Sequence, residues 1–263
     1  IYDFEQGITG HEATSPTSST WTPGLDSELS TAHAPVPGSD VLTVRTTSGG
    51  MVQLTKKMNN NAASLHIEEN SGINEGDILI ISDCTNSSIF QVTNAEPDTS
   101  GTVVHNTGAA SPGNSQKYLG KSFAKGAELQ KLTTINYFVS PSEDDAKDCS
   151  EGCSLWRQVG DDDAEELVSG VENMQLLFGT DTDTDNSVDR YLTAEEVESL
   201  SLWSDVKSIR ISLLLRSIDS ALANLPAPSS QTLARRKVFP DPPDDQRLRR
   251  VFTTTIAIRN RVL

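Results

Sequence analysis

Two segments near the end of the chain alternate apolar and polar positions without a break. In VKSIRISLLLRS, Ile209, Ile211, Leu213 and Leu215 fall on one side and Ser208, Arg210, Ser212 and Arg216 on the other; in FTTTIAIRNRV, Phe252, Thr254, Ile256 and Ile258 share a side. A period of two is the mark of a strand with one buried face, so 205–217 and 249–261 are predicted as strands of one sheet, paired antiparallel across a long loop. Leu129, Thr133, Ile135, Tyr137 and Val139 give a further long strand over AELQKLTTINYFVS. Shorter runs at 41–45, 51–58, 64–69, 77–83, 88–93 and 102–105 are separated by turn chemistry such as SGG, NSG and NEGD. Thr193 and Glu196 have the spacing of a capping box, which starts a short helix near Ala194.

No period is sustained in residues 1–38, rich in Ser, Thr, Pro and Gly, and they are read as an irregular lead-in. Residues 39–263 then form a single β-rich domain with inserted loops at 107–126, 141–153 and 219–246. Pro content in the last of these forbids a central strand.

Composition supports a sheet-rich reading: 263 residues with 35% hydrophobic content can bury a core, and only 5% are aromatic. The net charge of −16 excludes nucleic acid as a partner, because phosphate binding draws on clustered Lys and Arg. Charge is uneven. Residues 235–263 carry eight of the 21 basic residues against Asp241, Asp244 and Asp245, a basic arm on an acidic body. Its arginines Arg235, Arg236, Arg249 and Arg250 are either solvated and internally paired or a docking surface for an acidic neighbour. No run of 18 apolar residues occurs. The chain starts at Ile1, with neither an initiator Met nor a signal peptide, as expected if a preceding segment has been removed.

Three cysteines leave one without an obvious mate. Cys149 and Cys153 enclose the short polar loop SEG and can bridge it; Cys84 bridging one of them, or three free thiols, are the alternatives. His11, His33, His66 and His105 lack ligand spacing. No nucleophile elbow, phosphate loop or C-x-x-C is present, and the acidic runs read as solvated, so no catalytic residue and no enzyme is expected.

One stretch offers metal chemistry. In FGTDTDTDNSVDRY, Asp181, Asp183, Asp185 and Asp189 occupy positions 1, 3, 5 and 9 of a calcium loop, and Asn186 stands where the turn wants Gly. Position 12 is Leu192 rather than a bidentate Glu. The stretch is therefore read as a solvated Asx-turn loop with weak or no calcium binding, those four aspartates being the ligands if calcium binds. No other cofactor is expected.

ELVSGVENMQLLFGTDTDTDNSVDRY, WSDVKSIRISLLLRS and VFTTTIAIRNRVL, in that order, resemble the PilW minor pilins of bacterial type IV pili, as do PGSDVLTVR and GDILIISDCTNSSIFQVT upstream. The resemblance implies an α+β class, predominantly antiparallel β, with a pilin-like or J-type pseudopilin-like head behind an N-terminal helix missing from this chain. That helix anchors a full-length pilin in the inner membrane, facing the periplasm before assembly into the pilus. It also implies a subunit without catalysis that primes assembly and sits at the pilus tip, with other minor pilins and a tip adhesin as partners. A J-type pseudopilin of type II secretion and a secreted carbohydrate-binding module or hydrolase are the alternatives.

Overall fold

Alternating runs become strands almost wherever they occur in the computed structural model, which describes residues 6–25, 29, 33–59, 62–108, 111–142, 149, 152–217, 232–233, 236–237 and 247–258. In chain order the first strands are β1 (Ile8–Ala13), β2 (Trp21–Thr22), β3 (Val41–Gln53), β4 (Ser64–His66), β5 (Ile78–Ser82) and β6 (Ser87–Gln91). Helix α1 (Pro97–Ser100) precedes β7 (Thr102–Val104), β8 (Glu128–Pro141), β9 (Cys153–Val159), β10 (Glu165–Ser169), β11 (Val171–Thr180) and β12 (Arg190–Leu192). Helix α2 (Ala194–Ser199) leads through a 3-10 turn at Trp203–Asp205 into β13 (Val206–Arg216). The last strands are β14 (Thr232–Leu233), β15 (Arg236–Lys237) and β16 (Arg249–Ala257).

The chain divides into two compact units, one running to Val44 and resuming at Thr134, the other Arg45–Thr133, where the sequence suggested one domain. In the first unit, one sheet has the order β10-β9-β8-β3-β1-β2 and a second has β12-β11-β13-β16. Leu42, Val139 and Cys153 of the first sheet pack with Met174, Leu176, Phe178 and Ile209 of the second, together with Val197 of α2 and Trp203. Phe178 reaches the first sheet because β1 passes it with Gly10; a Cβ there would overlap the Phe178 ring. In the second unit, β5 pairs with β6 and with Glu128–Lys131 of β8, and β4 pairs with β7 over a core that includes Leu79, Ile81, Phe90, Phe123 and Leu129.

The expected α+β, pilin-like class is corrected. Sheets are antiparallel, and among the described residues the two α-helices are four and six residues long and no N-terminal helix lies on either sheet. No described helix is long and apolar enough to cross a membrane. The physical reason lies in the pattern: period-two alternation dominates, and the one strong helix signal, the Thr193 capping box, launches only α2. The lead-in is not wholly irregular either. β1 pairs with β3 from Ile8↔Val44 to His11↔Val41, and His11 Nε2, Thr43 Oγ1 and Asn136 Oδ1 form a buried hydrogen-bonded chain at 3.0 and 2.7 Å.

Candidate functional site

The acidic loop joins β11 to β12, whose register runs Phe178↔Leu192 to Thr180↔Arg190. Asp181 is buried. Its Oδ1 accepts the Thr184 N–H at 2.7 Å and its Oδ2 the Asn186 N–H at 2.9 Å, while Thr184 and Asn186 take left-handed φ values of 67° and 66°. Asp189 Oδ2 accepts the N–H and hydroxyl of Thr182 at 2.6 and 2.7 Å, and these bonds hold its pKa below the usual carboxylate value. Asp185 accepts the Ser187 hydroxyl and N–H, with the same effect.

Asp181, Asp183 and Asp189 bring carboxylate oxygens within 4.8 Å of one another; Asp185 is outside that group. Lys207 of β13 places Nζ 3.6 Å from Asp181 Oδ2 and 3.0 Å from Asn186 Oδ1. An ammonium thus already supplies positive charge to the most buried carboxylate, and Leu192 is in the core rather than at the loop. The arrangement closes a turn by capping its own N–H groups. Sequence reasoning missed Lys207, because nothing in its local pattern distinguishes it from a solvated β-strand lysine.

The basic arm divides sharply. Arg249, expected on a docking surface, is corrected to an internal residue: its side chain is 1% exposed and donates from Nε and Nη2 to the Glu172 carboxylate at 2.8 and 2.9 Å. Arg216 Nε lies 3.4 Å from the same carboxylate, and its Nη1 donates to the Cys149 carbonyl at 3.4 Å. Glu172 sits in β11 where the register shifts between Val171 and Asn173, which turns a charged residue inward. Arg250 is exposed on β16 opposite Leu215. Arg235 and the side chain of Arg236 lie outside the described residues; the backbone of Arg236 pairs with Leu233.

Cys149 and Cys153 are joined by a disulfide with Cα atoms 5.0 Å apart, and Cys84 is free and exposed in the β5–β6 turn. In the second unit a hollow of about 560 Å³ is lined by Lys56, His66, Glu68, Glu69 and Asn70 among others. It is polar and has no Phe, Tyr or Trp in its lining.

A second correction concerns the sheet carrying β16. The expected antiparallel pairing of the two alternating segments is present, from Ser208↔Ala257 to Arg216↔Arg249. Across the sheet the rows read Met174–Leu213–Phe252, Leu176–Ile211–Thr254 and Phe178–Ile209–Ile256. Burial falls along each row. The three β11 residues are buried, Ile211 and Leu213 are half-buried, and Phe252 and Ile256 are 65% and 52% exposed. The face expected to be buried on β16 is open at Phe252, Thr254 and Ile256, because the described cover from α2, Trp203, Leu42 and Val139 reaches β11 and part of β13; Ile258, just past the strand, packs against that core.

No curated protein and no solved structure shows a significant match to the chain. The family model described as Type IV Pilus-assembly protein W, PilW, matches residues 137–260, a span that holds all four strands of the β12-β11-β13-β16 sheet. On that match, residues 137–260, just under half of the chain, are similar to the PilW family of type IV pilus-assembly proteins, which supports a PilW-type pilus protein.

Proposed function

We propose that this chain is a non-enzymatic minor pilin that works by binding: it joins other minor pilins in the complex that primes pilus assembly and sits with them and a tip adhesin at the pilus tip. The family match supports the coarser part of this reading, a role in type IV pilus assembly with other pilus components in the periplasm or on the pilus. That match is the observation that carries the proposal, and the open apolar face of β16 agrees with it.

Contacts between such heads are expected to be small, polar at the rim and sensitive to salt. Sedimentation of the purified chain mixed with the other minor pilin heads, at low and high salt, tests this. Complexes that form at low salt and weaken at high salt are expected. Absence of any complex at either salt removes the proposed mode of action.

A further inference from the structure

The Cys149–Cys153 disulfide spans four positions; Cys153 is fully buried and Cys149 packs partly buried against the same core. A bond that closes so short a loop removes little entropy from the unfolded chain, so its effect lies in what it holds in the folded one. Three contacts show what that is. The Cys149 carbonyl accepts from Arg216 Nη1 at 3.4 Å. Gly152, whose φ of 148° favours glycine, passes over the same guanidinium: a Cβ built there would stand 3.4 Å from Arg216 Nη2. The Cys153 carbonyl accepts the Gly170 N–H at 2.8 Å, and the Gly170 carbonyl accepts the Arg216 N–H at 2.7 Å. The bridged turn is thus fitted against the end of β13 where Arg216 stands opposite Arg249 of β16.

That end holds two guanidinium groups on one shared carboxylate. The side chains of Arg249 and Arg216 are both buried against Glu172. Like charges directly opposed across two strands repel, and inside a protein solvent screens them little. Each acceptor that faces a guanidinium offsets this repulsion, and each group that keeps water out strengthens the pairing with Glu172. The Cys149 carbonyl supplies one such acceptor and the Gly152 backbone part of the cover.

We propose that the disulfide is a redox-controlled clasp on this ionic cluster. Oxidised, it holds the Cys149 carbonyl and Gly152 against Arg216 and so fastens the Arg249 end of β16 to β13; reduced, it lets that end loosen while the rest of the strand pair stays formed. The clasp is independent of the assembly role proposed above. A dithiol is the co-reactant that opens it. One thiolate of the dithiol attacks the Cys149 sulfur, the more exposed of the two, and the S–S bond breaks as Cys153 leaves as a thiolate and takes up a proton. The second thiol of the reductant, as its thiolate, then attacks the mixed disulfide, freeing Cys149, which is protonated to a thiol, and leaving the reductant a disulfide, oxidised by two electrons.

The test follows amide hydrogen exchange by NMR in the folded chain, first oxidised and then reduced with dithiothreitol, in a Cys84→Ser background so that no other thiol exchanges. Reduction is expected to lower protection about tenfold or more over 214–217 and 249–251 and to leave 206–209, at the far end of β13, unchanged. Cys149→Ala reaches the opened state without a reductant and is expected to give the same pattern. Glu172→Gln is expected to lower protection at 249–251 about tenfold in the oxidised chain and about threefold or less in the opened one, because the cluster it breaks is already loosened. Unchanged protection over 214–217 and 249–251 in the opened chain overturns the proposal. So does an equal loss at 206–209, which marks a general fall in stability, or an equal factor for Glu172→Gln in both states, which marks two independent contributions.

Discussion

At the residue scale the chain places charge inside and counters it locally. Glu172 faces Arg249 and Arg216, both side chains almost fully buried. Breaking such a cluster by removing its shared carboxylate leaves uncompensated guanidinium groups in the interior. Glu172→Gln is expected to lower stability by about 3 kcal/mol in urea unfolding; a loss below about 1 kcal/mol, the worth of a solvated pair, contradicts the buried placement. His105 is the opposite case: fully buried, 5.0 Å from Phe90 and with no hydrogen-bond partner for either ring nitrogen. Burial pushes its pKa from 6.5 down to about 4. The unfolded chain therefore binds a proton that the folded chain refuses, and the contribution of neutral His105 to stability is intact above about pH 6.5 and shrinks as pH falls toward 4. In melting curves across that window, His105→Phe is expected to gain on the parent as pH drops; a constant difference refutes it. For the acidic loop, Lys207 beside Asp181 leads to the expectation that calcium at about 1 mM, a concentration that fills extracellular calcium modules, leaves the melting temperature unchanged. Lys207→Gln is expected to increase the response, and micromolar binding lost in Asp183→Ala contradicts this account of the loop.

Elements show which parts of the fold were legible in the sequence. α2 was, because a capping box is a local signal: Thr193 Oγ1 accepts the Glu196 N–H and Glu196 accepts the Thr193 N–H. Thr193→Ala is expected to cost about 1 kcal/mol, measured by thermal unfolding, and no change means that packing of Val197 alone holds the turn. β13 and β16 were legible in position and pairing because alternation and pairing share a period of two. The exposure of β16 was not, since alternation says which residues share a face but never what covers it. β1 escaped notice because ITGHEA is buried through Gly10 against Phe178 and through a polar chain at His11, neither of which leaves an apolar pattern. Arg249 looked like a surface charge for the same reason: its partner is 77 positions away.

On the scale of the whole molecule, the chain is acidic, its strand β16 leaves Phe252 and Ile256 exposed, and a family model of type IV pilus assembly matches residues 137–260. In the first unit β16 is tied to β13 and, through Arg249, to Glu172, while Phe252 and Ile256 stay exposed. Counting surface pili by electron microscopy in a strain deleted for this gene, and again after complementation, tests the central claim most directly. The account predicts loss or strong reduction of pili on deletion and recovery on complementation; normal piliation in the deletion strain contradicts it.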